Sequence, residues 1–214
     1  MALLKLSKRL IIVAFIFMLV SLINAQSEKP VSSAVLKAFK ESYASETAGD
    51  YTKSINTLKS VYEKGSYELN LRLGWLSYNN KQYTESMDYY SKAIELMPYS
   101  IEAKFGYVLP AAAVEKWDEV KKQYEEILKI DGMNSIANYR LGMMYYYGKD
   151  YSKAYTFFER VVNSYPFDYN STLMFAWTNY QLGKTREAEV LFTKVLEMSP
   201  DDTSATEGLG LLKK

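Results

Sequence analysis

Apolar side chains recur at i, i+3, i+4 and i+7 along most of the chain, a spacing that lines them up on one face of a helix. The helical stretches come in pairs. Short polar turns break each pair at Gly49-Asp50, Lys81-Gln82, Glu115-Lys116, Lys149-Asp150 and Gly183-Lys184. No stretch sustains the period-two alternation of a half-buried strand, so the pattern predicts an all-α fold. Residues 70–98, 138–166 and 173–200 align with one another, and each ends on a proline: Pro98, Pro166 and Pro200. The first two prolines are 68 residues apart and the last two 34, with Gly132 at the missing midpoint. A fixed period of this length marks a stacked repeat. The units are 67–100, 101–134, 135–168 and 169–202, preceded by a shorter first unit at about 35–66.

A 34-residue helix-turn-helix period with this punctuation resembles the tetratricopeptide repeat, over about residues 35–214. Gly74, Gly142 and Ala176 match the family's first small position, where the two helices of a unit cross. Ala154 and Ala188 match the second. Tyr51, Tyr83, Trp117 and Tyr151 match the aromatic that opens the second helix, and Tyr90, Tyr124, Phe158 and Phe192 the aromatic further along it. The resemblance implies a right-handed α-solenoid closed by a capping helix at 203–214. Some positions depart from the pattern. Val108, Val120 and Ile127 replace small residues in the third unit, so its helices are expected to sit further apart. Pro110 lies inside that unit's first helix and predicts a kink or interruption near Leu109. The first unit is degenerate, with Ser54 and Leu58 at consensus positions.

In this family the first helices line a concave groove that binds peptides. Unit positions 2, 5, 9 and 12 share one helix face and are implied to look into it. Position 5 holds Phe39, Leu71, Phe105, Tyr139 and Leu173. Position 9 holds Tyr43, Trp75, Leu109, Met143 and Trp177. Position 12 holds Glu46, Tyr78, Ala112, Tyr146 and Tyr180. A face that met only water would be polar, and aromatic residues with Met are instead enriched at binding surfaces. The candidate groove residues are Phe39, Tyr43, Trp75, Tyr78, Tyr139, Met143, Tyr146, Trp177 and Tyr180. Arg72 and Arg140, at position 6, are placed to meet a carboxylate. The same rings would equally serve by packing on their neighbours and stiffening the wall. The family's carboxylate clamp of Lys and Asn is not matched, since no position 9 is Asn.

Composition narrows the chemistry. Hydrophobic residues make up 48% of the 214, enough for a sizeable core. There is no Cys and no His, which removes disulfides, thiolate and imidazole metal ligands and the commonest general base. No catalytic residue, metal or cofactor is expected. Asp201-Asp202 and Glu125-Glu126 are adjacent on helical segments and point apart, Gly208-Leu209-Gly210 follows no strand, and Asn170-Ser171-Thr172 is a sequon by spacing alone. The first 25 residues read as a signal peptide: Lys5, Lys8 and Arg9, then an apolar run from Leu10 to Leu22, then Ala25 before Gln26. A short linker, 26–34, leads into the repeats. An uncleaved leader would be an N-terminal anchor; a cleaved one leaves a periplasmic or secreted protein without stable membrane insertion. Without the leader the chain has 23 basic and 25 acidic residues, no balance for binding nucleic acid. The sequence therefore predicts an exported scaffold that holds a peptide or helix of another protein. A glycan-binding envelope protein and a self-associating spacer remain as alternatives.

Overall fold

The computed structural model describes residues 32–213. The leader expected at 1–25, and the linker as far as residue 31, lie outside them. The helices are α1 (Ser33–Thr47), α2 (Tyr51–Lys59), α3 (Tyr67–Asn79), α4 (Tyr83–Leu96), α5 (Ile101–Ala113), α6 (Trp117–Ile130), α7 (Ser135–Tyr147), α8 (Tyr151–Ser164), α9 (Tyr169–Gln181), α10 (Thr185–Met198) and α11 (Thr203–Leu211). Odd-numbered helices begin the repeat units, even-numbered helices complete them, and the described residues contain no strand. Each helix packs on its successor, and α3 also touches α5, α7 touches α9, and α9 touches α11. The result is an α-solenoid.

The start of each odd helix follows from one side chain. Ser32, Ser66, Ser100, Asn134, Asp168 and Asp202 each accept a hydrogen bond from the backbone N–H three residues on. They recur every 34 residues, and each such cap contributes about 1 kcal/mol. The opposite end is equally regular. Gly49, Lys81, Glu115, Lys149 and Gly183 all adopt positive φ. In each, the N–H of that residue bonds back three residues and the next N–H bonds back five, as with Glu115 to Ala112 and Lys116 to Ala111. This left-handed stop turns the chain into the even helix.

Within a unit the two helices cross on small side chains. Ser54 Oγ donates to the Ser42 carbonyl (2.9 Å), and Ser86 Oγ donates to the Gly74 carbonyl (2.7 Å). Buried Asn70 and Asn138 anchor the inter-unit loops. Asn70 Nδ2 donates to the carbonyls of Lys64 and Ser66, and Asn138 Nδ2 to those of Gly132 and Asn134. Between units, an aromatic ring of the even helix is the wedge. Tyr90 is 3% exposed and lies against Gly74 on one side and Gly106 on the other.

The expected interruption at Pro110 does not occur, because α5 runs through it to Ala113. The proline falls in the last turn, and the residue four back, whose carbonyl its ring crowds, is Gly106, which gives the backbone most latitude. The bulk at Val108, Val120 and Ile127 is buried in a core that α5 and α6 share with Ala137 and Leu141 of α7.

Candidate groove on the concave face

The odd helices of the first four units enclose an open cavity of about 770 Å³. Phe39 and Tyr43 enter it from α1, Leu71, Arg72 and Trp75 from α3, Phe105, Val108 and Leu109 from α5, and Ile136 and Arg140 from α7. Tyr90 and Tyr124 reach it from the even helices behind. Tyr43, Trp75 and Leu109 are 52%, 39% and 36% exposed, so this apolar surface is open to a partner.

One wall is held by a four-residue cluster. Arg72 donates to Glu46, whose other oxygen accepts the Trp75 indole N–H at 2.6 Å. The guanidinium lies 4.0 Å from the Tyr43 ring centroid. The Arg72 and Glu46 side chains are only 12% and 22% exposed. Burial alone would push the Glu46 carboxyl up, but the hydrogen bonds from Arg72 and Trp75 and the Arg72 charge outweigh it and hold it below the usual carboxylate range. Glu46 thus fixes the Trp75 ring and neutralises Arg72. Of the two arginines expected to meet a carboxylate, Arg140 is the exposed one and forms no ion pair among the described residues, while Arg72 is engaged.

The remaining candidates lie elsewhere. Tyr78 leans on Trp75 and Tyr83, with ring centroids 6.3 and 6.0 Å away. Tyr139, Met143 and Tyr146 pack, partly buried, on the cluster around Phe158. Tyr146 meets Tyr151 edge-on at 5.4 Å. Trp177 is half-buried beneath α11. It donates its indole N–H to Ser204 Oγ (2.9 Å), and its ring meets Phe192 at 4.9 Å and Tyr180 at 5.7 Å. The structure therefore gathers Phe39, Tyr43, Arg72, Trp75 and Arg140 around one cavity and sets the other six candidates outside it. It adds Glu68, Glu102 and Ile136 at position 2, a position on the expected groove stripe whose residues were not among the candidates. Choosing candidates by aromatic, Met and Arg side chains passed over these two carboxylates and Ile136, although position 2 is one turn from position 5 on the same face. Tyr67 also lines the cavity, its hydroxyl bound to Ser100 Oγ at 2.7 Å.

Among the described residues no group of three acidic, Cys or His side chains is arranged to hold a metal, and no helix is long and apolar enough to cross a membrane.

Models of the tetratricopeptide repeat match residues 67–99, 137–168 and 171–202. The chain carries tetratricopeptide repeats. Solved structures with the same repeat show the same fold at low identity. A tetratricopeptide repeat protein from Parabacteroides merdae is 18% identical, with TM-score 0.71 over 85% of this chain and 73% of that one. MamA from Desulfovibrio magneticus is 17% identical, with TM-score 0.66 over 80% of this chain and 98% of that one. YrrB, described as a TPR protein with an unusual peptide-binding site, is 22% identical, with TM-score 0.63 over 76% and 81%. No curated protein matches this tetratricopeptide-repeat chain.

Proposed function

We propose that this tetratricopeptide-repeat chain is an exported scaffold that holds a peptide or helix of another protein in the concave groove of its first four units. The observation that carries the reading is the open apolar cavity, whose exposed Tyr43, Trp75 and Leu109 come from three successive odd helices. A surface that only stiffened the solenoid would bury these side chains. The peptide-binding site named for YrrB, which shares the fold, supports the same use. Export rests on the basic residues, apolar run and Ala25 at the N-terminus.

The test is a Trp75→Ala, Leu109→Asp double variant, assayed for capture of envelope proteins and for melting temperature. Both residues are partly exposed, so capture should be lost while the melting temperature changes by only a few degrees. Retained capture would place binding elsewhere on the molecule. Intact-mass measurement on protein from its native host should show a chain that begins at Gln26; a full-length product embedded in the membrane would overturn export as a free protein.

A further inference from the structure

We infer that the occupant of the groove is a basic, apolar-faced peptide segment. The inference rests on the groove reading above and adds the chemistry of the ligand. Charges at the cavity sort into paired and unpaired. Glu46 and Arg72 cancel each other and are largely buried. Glu68 and Glu102 both line the cavity, both are exposed, and both sit in the first turn of their helices, 34 residues apart, at the same position of successive units. Neither forms an ion pair among the described residues. Glu68 accepts only the Ser66 hydroxyl at 3.0 Å, and Glu102 only a long contact from the Tyr67 hydroxyl at 3.5 Å.

Over its second and third units the groove thus offers an apolar floor of Leu71, Phe105, Val108 and Leu109 beneath two unpaired carboxylates. Arg140, one unit further, is the opposite charge at the far end. A segment that buries aliphatic or aromatic side chains in the floor would be favoured if Lys or Arg followed along its polar edge to meet Glu68 and Glu102, with an anionic group toward Arg140. Such pairs act mainly on partner choice and association rate, and salt weakens them. The same two carboxylates disfavour phosphate-rich partners, so a nucleic acid or an anionic membrane is the wrong occupant here.

The experiment pans a displayed library of random twelve-residue peptides against the full chain. The same library is panned against Glu68→Gln, Glu102→Gln and against Leu109→Asp, with Trp75→Ala as a second groove variant. Melting temperatures confirm that each variant is folded. The expected result is enriched peptides that combine apolar residues with an excess of Lys and Arg. They should bind about tenfold more weakly to the double Gln variant, weaken with added salt, and fail on both groove variants. Enriched peptides that are apolar without excess cations, and that still fail on the groove variants, would overturn the charge inference and leave the groove reading standing. Peptides that bind the groove variants as well as the parent, or no enrichment at all, would overturn both.

Discussion

Replacing Gly106 by alanine tests the wedge that joins the second unit to the third. Gly106 lies within α5, where alanine is intrinsically better by about 1 kcal/mol. Packing opposes this. A Cβ at residue 106 would lie 2.1 Å from Tyr90 Cε1, 2.6 Å from Cζ and 2.7 Å from Cδ1. Carbon atoms in contact settle at about 3.5–4.0 Å, so the ring or the helix would have to move by more than an ångström. The ring has nowhere to retreat. Its other face lies against Gly74, where a Cβ would already be 2.9 Å from the same ring. Overpacking of this kind costs about 1–3 kcal/mol, and this overlap belongs at the upper end. After the propensity gain, Gly106→Ala should destabilise the chain by about 2 kcal/mol, or about 4–8 °C in melting temperature. Gly210→Ala in α11 is the control. Nothing lies within 4 Å of its added Cβ, so it should leave the melting temperature unchanged or raise it slightly. Both variants are read by thermal and urea unfolding followed by circular dichroism. Adding Tyr90→Leu to Gly106→Ala should recover part of the loss, so the pair should be non-additive by more than about 0.5 kcal/mol. If Gly106→Ala melts with the parent or above it, the ring is not a rigid wedge and the reasoning fails.

Glu115 holds a left-handed conformation (φ 58°) that costs a residue with a Cβ about 1 kcal/mol or more, so Glu115→Gly should raise the melting temperature by one to three degrees; a fall would mean its side chain contributes more than its backbone costs. Trp177→Ala should destabilise by about 2–3 kcal/mol, because it removes the contacts to Phe192 and Ser204, whereas Trp75→Ala should cost about 1 kcal/mol or less; equal losses in urea unfolding would show that the two rings play the same part. Stability should be nearly flat from about pH 6 to 8, with no His or Cys to titrate. On the acid side, Glu46 is held below its ordinary 4.5, so its contribution is full above that value and is lost as pH falls through the depressed one. On the alkaline side, burial raises Tyr90 and Tyr124 above the ordinary 10.0, so their contribution is full below pH 10 and is lost as pH rises beyond it; tyrosinate absorbance that appears in full at its ordinary pKa without unfolding would refute this.

Much of the solenoid is legible because its signals repeat. The capping residues Ser32, Ser66, Ser100, Asn134, Asp168 and Asp202 keep one register, and so do the small residues at the helix crossings. Local chemistry repeated at a fixed spacing needs no knowledge of distant contacts. The conformation of the turns is less visible. Gly49 and Gly183 advertise positive φ, but Lys81, Glu115 and Lys149 adopt it too, imposed by the same pair of back-bonded amides rather than by residue type. Pro110 misleads in the other direction. Read alone it breaks a helix; in place, it falls in the last turn, four residues after Gly106, and the helix continues to Ala113.

The candidate site divides along the same line. Helical spacing puts the candidate stripe on one face of the first helix of each unit, but it does not say which part of that face a neighbour covers. Trp75 and Trp177 occupy the same position in their units, yet their indole nitrogens find partners of different kinds. Glu46, one unit back and itself paired with Arg72, steadies Trp75 at the edge of an open cavity. Ser204, on α11, draws Trp177 under cover. Both partners are more than 25 residues away in sequence. An identical local pattern therefore gives a partly exposed ring in the second unit and a packed ring in the fifth. The cavity accordingly takes Trp75, and not Trp177, into its lining.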